Sequence, residues 1–262
     1  MKKLHLRKMT NTLQDGHAQY YLDRERSIDL NALVGKKLSL RFTGEINCIN
    51  CTRSIKKTFN QGYCFPCFQT LARCDSCVVK PELCHYHKGT CREEDWGEEH
   101  CFIPHTIYLA NSSGLKVGIT RGETPFTRWM DQGATQGIVL GHTDSRLQAG
   151  LIEVSLKEYF ADKTNWRKML SSEAEPIDLA SERERLLAID GEWLEDCEPA
   201  STDPVNISYP IEKYPEKVKS LNFDKQAEVG GTLQGIKGQY LIFGSGVINI
   251  RKFAGYEVEI KT

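Results

Sequence analysis

The sequence predicts an α+β fold built from several small units, and three observations carry that expectation. Nine of the ten cysteines lie between Cys48 and Cys101, a density that marks a ligand-rich module rather than an ordinary core. Both ends of the chain alternate β-branched and aromatic residues with polar ones in short runs, the period of half-buried strands. From His105 onward, short apolar strands are interleaved with helical patterns, as in a compact α/β domain. The chain therefore divides into a β-rich N-terminal segment (1–47), a cysteine-rich module (48–104), an α/β segment (105–170), an acidic helical linker (171–204) and a β-rich C-terminal unit (205–262) with the pattern of a small barrel or sandwich.

At the front, HAQYYLD (17–23), SIDL (27–30) and KKLSLRFTGEI (36–46), with Gly35 and Gly44 at turns, predict an antiparallel meander. The opening MKKLHLRKMTNTLQDGH carries basic residues without a following apolar stretch, so it does not read as a secretory signal. No run approaches the roughly 18 apolar residues of a membrane span. The expectation is a cytoplasmic, reducing setting without membrane attachment.

In that setting clustered thiols bind metal rather than oxidise. Cys48, Cys51, Cys64 and Cys67 follow the pattern C-x2-C-x12-C-x2-C. Two such knuckles supply the four sulfurs of a tetrahedral zinc site, each about 2.3 Å from the ion, as in a zinc finger or zinc ribbon. The rest of the cluster offers Cys74, Cys77, Cys84, His85, His87, Cys91, His100, Cys101 and His105. Cys74 and Cys77 form another knuckle, whose partners are Cys84 with Cys91, His87 with Cys91, or one of these with Cys101. Two or more zinc ions are expected, in closed thiolate sites that are structural rather than catalytic. Cys197, far from the others, reads as a small buried hydrophobe. With 40% apolar residues the chain can bury real cores, so zinc supplements packing locally.

The net charge of −1 conceals a gradient. Residues 1–80 carry fourteen Lys/Arg against six Asp/Glu, and residues 171–262 carry ten against seventeen. A basic front half beside a zinc module suits a polyanion such as DNA or RNA. A protein partner recognised by the cysteine module is the competing class.

Further along, TIYLA and LKVGIT around the turn NSSG predict a hairpin. Pro125 opens a short helix running to Met130. GIVLGHT (137–143) is a strand, and SRLQAGLIEVSLKEYFADK (145–163) is the clearest helix, with Ser145 as its cap and Leu147, Leu151, Val154 and Ala161 at helical spacing. A further helix is expected from about Leu179 to Ile189. The tail runs VNISYPI, KVKSLNF, GTLQGIKGQYLIF, GVINIRKF and GYEVEI predict strands. Trp129 and Trp166 read as core anchors.

The stretch HTIYLANSSGLKVGITR, with Arg128 and Glu153 beyond it, resembles the GIY-YIG nuclease superfamily. Thr106-Ile107-Tyr108 stands for the first motif and Lys116-Val117-Gly118 for the second, so the resemblance is to a branch with a KIG-type second motif. Arg128 and Glu153 stand for the family's helical arginine and metal-binding glutamate, and Asn165 follows. The chain as a whole resembles an uncharacterised bacterial family of unknown function that joins a cysteine cluster to this segment. The superfamily resemblance implies Mg²⁺- or Mn²⁺-dependent phosphodiester hydrolysis. Glu153 would hold the cation, Arg128 would grip the scissile phosphate, and Tyr108 would orient or deprotonate the nucleophile. Lys116 would stabilise the developing charge, and Gly118 and Asn165 complete the expected set. The alternative expectation is a non-catalytic binding module on a degenerate nuclease scaffold.

Overall fold

The computed structural model describes residues 2–160, 165–189, 195, 197–200 and 202–262. It contains strands β1 (Lys2–His5), β2 (Thr10–Gln14), β3 (His17–Tyr21) and β4 (Lys37–Ile46) at the front. The middle holds α1 (Phe65–Thr70), α2 (Glu94–Cys101), β5 (His105–Asn111), β6 (Leu115–Arg121), α3 (Phe126–Asp131), β7 (Gln136–Thr143), α4 (Arg146–Leu156), α5 (Trp166–Ser171) and α6 (Leu179–Leu187). The rear holds β8 (Glu198–Pro199), β9 (Val205–Asn206), β10 (Glu228–Lys237), β11 (Tyr240–Phe243), β12 (Gly246–Asn249) and β13 (Tyr256–Lys261).

The two ends of the chain meet in one sheet of order β1-β13-β4-β10-β11-β12. Its register sets Leu4 beside Val258, Ile260 beside Leu40 and Leu40 beside Val229, so alternating apolar residues of distant segments line one face. Bulges interrupt the pairing within β13 and β10 and let the sheet bend. The barrel or sandwich expected of residues 205–262 is replaced by this sheet shared with the front. The KVKSLNF run forms no strand and contributes only a bridge from Ser220 to Val247. The front meander is also revised. β3 pairs with β2, and Ser27–Leu30 meets β3 only through an isolated antiparallel bridge from Tyr21 to Asp29 instead of forming a strand between β3 and β4.

In the middle segment β5 and β6 form the expected hairpin, pairing Tyr108 with Gly118 and Ala110 with Lys116. β7 lies beside β5, with β8 and β9 paired to it. One face of this layer, with Ile107, Leu109, Ile138 and Leu140, packs on Ala149, Ile152 and Leu156 of α4 and also buries Cys197. The other face places Tyr108, Ala110 and Trp129 in the core of the large sheet. The hub of that junction is Asp131 at the end of α3. It accepts hydrogen bonds from Asn11 (2.9 Å) and Gln239 (2.9 Å) and pairs closely with Lys8.

Ser145 caps α4 as expected, accepting from the Gln148 N–H at 3.3 Å. The helix then turns a different face inward: Leu151 and Val154 are exposed, and Ala149, Ile152 and Leu156 are buried. The helix gives way after Leu156 to a tight turn over Lys157–Tyr159, and Ala161 and the rest of its expected end lie outside the described residues. So does part of the expected linker, at 190–194, 196 and 201. No helix is long and apolar enough to cross a membrane.

Candidate functional site

The first knuckle pair assembles as its spacing requires. The sulfurs of Cys48, Cys51, Cys64 and Cys67 all lie within 4.8 Å of one another, and Cys51 Sγ is 3.7 Å from Cys64 Sγ. Four ligands at tetrahedral zinc–sulfur distance sit about 3.8 Å apart, so the donor set fits one such ion. Burial opposes ionisation of Cys48, but backbone N–H groups of Cys51, Cys64 and Asn50 bring its thiol down to about 6. Burial and hydrogen bonds with the other thiols push Cys67 up to about 12.

The remaining candidate ligands do not behave alike. Cys77, Cys84, Cys91 and Cys101 line one small cavity together with Asp75 and His85. Asp75, Cys77 and His85 present ligand atoms within 4.8 Å of one another. Cys74 is buried and does not line this cavity, and His87 is exposed on a turn outside it. Of the knuckle expected from Cys74 and Cys77, only Cys77 lines this cavity, Cys74 ending the Ala72–Cys74 turn and Cys77 standing within the Ser76–Val78 turn.

A larger groove, of about 770 Å³, opens where the front, the cysteine module and the α/β segment meet. Tyr108, Lys116, Gly118, Arg128 and Glu153 all line it. Asn165 does not. It caps α5, accepting from the Arg167 and Lys168 N–H groups at 3.1 Å. The described residues lining the groove include ten cations and one carboxylate, Glu153. Seven are arginines, of which Arg7, Arg24, Arg73, Arg121, Arg146 and Arg251 are scattered along the sequence and carry no local motif.

Backbone carbonyls rather than acids hold several of these arginines. Arg7 donates to Ile49 O (3.1 Å), Arg121 to His100 O (2.9 Å) and Arg146 to Val78 O (2.5 Å). Among the described residues no carboxylate lies within ion-pair distance of any of the seven, and acids act on them from further off, Glu153 on Arg146, Asp131 on Arg251 and Glu25 on Arg7. Burial lowers the pKa of Arg146 and of Arg251, although guanidinium remains charged at neutral pH.

The chain belongs to the DUF2797 family. Its model, described as a protein of unknown function, matches residues 35–258. No curated protein and no solved structure matches the chain. The matched span takes in the four-cysteine group, the hairpin and α4, so the DUF2797 unit includes most of the groove wall and leaves Arg7, Lys8 and Arg24 in front of it.

Within the DUF2797 groove the local geometry is tight. Tyr108 is fully buried, stands T-shaped to Trp129 at 5.9 Å, and donates to Gln132 Oε1 at 3.3 Å. A methyl group at Gly118 would lie 2.6 Å from its hydroxyl oxygen, so the glycine is what lets the ring cross the neighbouring strand. Burial pushes the Tyr108 hydroxyl up, against the pull of Arg128. It is therefore a proton donor at neutral pH, not a base. Burial, with Arg128 nearby, lowers Lys116 to about 8 against the attraction of Glu153. Burial raises Glu153, opposed by Lys157, whose ammonium lies 3.5 Å away. The basic lining thus surrounds a phenol donor, a lysine of lowered pKa and one carboxylate.

Proposed function

We propose that this protein acts on nucleic acid, seating a phosphodiester backbone in the basic groove. The observation that carries the reading is the lining itself: ten cations against one carboxylate, drawn from every part of the chain except the acidic segment before β8. Such a surface attracts polyanions and releases their counterions. On this reading the GIY-YIG-like constellation lies at the groove floor, where Arg128 would fork a phosphate, Lys116 would neutralise it and the Tyr108 hydroxyl would donate a hydrogen bond. Glu153 is the single carboxylate available to a divalent cation, and a Mg²⁺ or Mn²⁺ bound there would supply charge neutralisation and an activated water. One carboxylate among ten cations suits such a cation only when substrate phosphates complete its ligands.

A second reading, binding without hydrolysis, is favoured by the Lys157 ion pair that already engages Glu153. One experiment separates the two. Labelled single strands and duplexes of DNA and RNA are titrated at two salt concentrations, then incubated with Mg²⁺ or Mn²⁺. Affinity should fall steeply with salt; binding absent at low salt would overturn the nucleic-acid reading. Glu153→Gln should abolish cleavage and keep binding. Binding without cleavage in every combination would leave the non-catalytic reading standing.

A further inference from the structure

The cysteine module has no apolar core of its own. Residues 71–104 are folded as four single-turn segments and the eight-residue α2, and among the described residues none of them belongs to a hydrophobic core cluster. A stretch of that length without a core needs a cross-link to hold one shape. Four thiols reach one cavity in it, where Asp75, Cys77 and His85 present ligand atoms within 4.8 Å of one another. Cys77 lies within the Asp75-capped turn, Cys84 ends the Pro81–Leu83 turn, Cys91 follows the Tyr86–Lys88 turn and Cys101 ends α2. All four line the same enclosed cavity, about 20 Å³ in volume, which is room for one small ion or water.

We infer that Cys77, Cys84, Cys91 and Cys101 form a second, structural metal centre for a zinc-like divalent ion, and that this centre clamps α4 against the groove. Asp75 and His85 have partners of their own beside this cavity, and Cys91 Sγ lies 3.4 Å from the Glu93 carbonyl. The Asp75 carboxylate is ion-paired to Arg92 Nε at 2.7 Å and accepts from the Ser76 N–H at 2.5 Å. His85 bonds Thr90 through Nδ1 at 2.8 Å and faces Asp75 through Nε2 at 3.5 Å. Four thiols are the donor set that soft divalent ions prefer in closed sites.

The clamp is explicit in the packing. The stretch between Cys77 and Cys84 supplies Val78, whose carbonyl receives Arg146, and Pro81, which sits on Gly150 of α4. A methyl group at position 150 would lie 2.5 Å from the Pro81 Cβ and 2.8 Å from the Glu82 nitrogen. The loop therefore docks directly on backbone, one helical turn before Glu153. Losing the ion frees that loop and, with it, the start of α4.

The test is metal stoichiometry and amide exchange on the full chain, and it does not depend on nucleic-acid binding. Elemental analysis and native mass spectrometry should find two zinc-class ions per chain. Cys84→Ser and Cys101→Ser should each leave one, as should Cys48→Ser, whereas Asp75→Asn should leave two. In Cys84→Ser the amides of Arg146–Leu156 should lose protection while those of β10–β13 keep theirs. One ion per chain in the wild type, two retained in Cys84→Ser, or loss of one ion in Asp75→Asn would overturn the assignment. Should the variants not fold, alkylation of the wild type decides. Cys77, Cys84, Cys91 and Cys101 should become reactive together on chelation, in a step separate from the Cys48 group. Their reaction before chelation, or a mass lowered by disulfide formation among them, would overturn it.

Discussion

Lys116 is an ammonium held half-buried on a strand, and removing its charge should stabilise the protein. The folded chain holds Lys116 near 8, below its ordinary value of 10.5. The unfolded chain therefore binds more protons between those two values, so stability attributable to this group rises with pH across that window and is lowest below it. At about 1.4 kcal/mol per pH unit, the gap corresponds to about 3 kcal/mol of destabilisation at pH 7. Lys116→Met keeps most of the volume and removes the charge. It should raise stability by up to that amount, which is about 2–4 °C in Tm for each kcal/mol in a chain of this size. By pH 9.5 the wild type has shed the proton in the folded state, and the advantage of the variant should shrink to about 1.5 kcal/mol. Chemical denaturation of both proteins at the two pH values, with metal content matched, measures this directly. The same variant should bind polyanions more weakly, since the groove loses a cation. A variant that is less stable than wild type at pH 7, or whose advantage does not change with pH, would refute the claim that the site retains this charge at a cost to the fold.

Two further outcomes follow from the same geometry. Gly118→Ala places a methyl group against the fully buried Tyr108 ring, with contacts of 2.6–2.9 Å to its hydroxyl and ring carbons, and should cost about 1–3 kcal/mol by denaturation; an unchanged midpoint would mean that the ring yields freely. Arg128→Ala removes one exposed groove cation, so the slope of log affinity against log salt should become shallower by about 0.7 on single strands and about 0.9 on duplex, with no change in Tm beyond about 0.5 kcal/mol equivalent. An unaltered slope would place the phosphate path elsewhere in the groove.

Local signals were the legible part of this fold. The C-x2-C-x12-C-x2-C spacing leads to four sulfurs within reach of one ion, because both knuckles are short loops whose geometry is fixed by near neighbours. The hairpin of β5 and β6 follows from two apolar runs around a polar turn. The hairpin of β2 and β3 carried a signal of its own, the dipeptide Asp15-Gly16 with both residues at positive φ, a hairpin turn that the polar run TNTLQ disguises. Helix α4 was placed correctly but not oriented, since Leu147, Leu151 and Val154 are no less apolar than Ile152 and Leu156, and only the neighbouring strands decide which face is covered. The six-stranded sheet was illegible for a stronger reason. β4 pairs with β10 across nearly the whole chain, and nothing local in either strand names the other.

The groove shows why the charge gradient of the sequence was a weak guide. Arg7, Lys8, Arg24 and Arg73 come from the basic front, as that gradient would suggest, but Arg251 comes from the acidic rear and Lys116, Arg121, Arg128, Arg146 and Lys157 from the middle. What gathers them is topology. The terminal sheet brings Arg7 and Arg251 together, Asp131 ties the end of α3, and with it Arg128, to that sheet, and the loop before Pro81 carries Arg146 by its backbone. Repulsion among so many cations opposes each of these placements, and burial deepens it at Lys116. A fold gains nothing in stability from such an arrangement. The proposed nucleic-acid reading would account for it, since an anion seated in the groove would offset repulsion that sheet, hairpin and cysteine module together sustain.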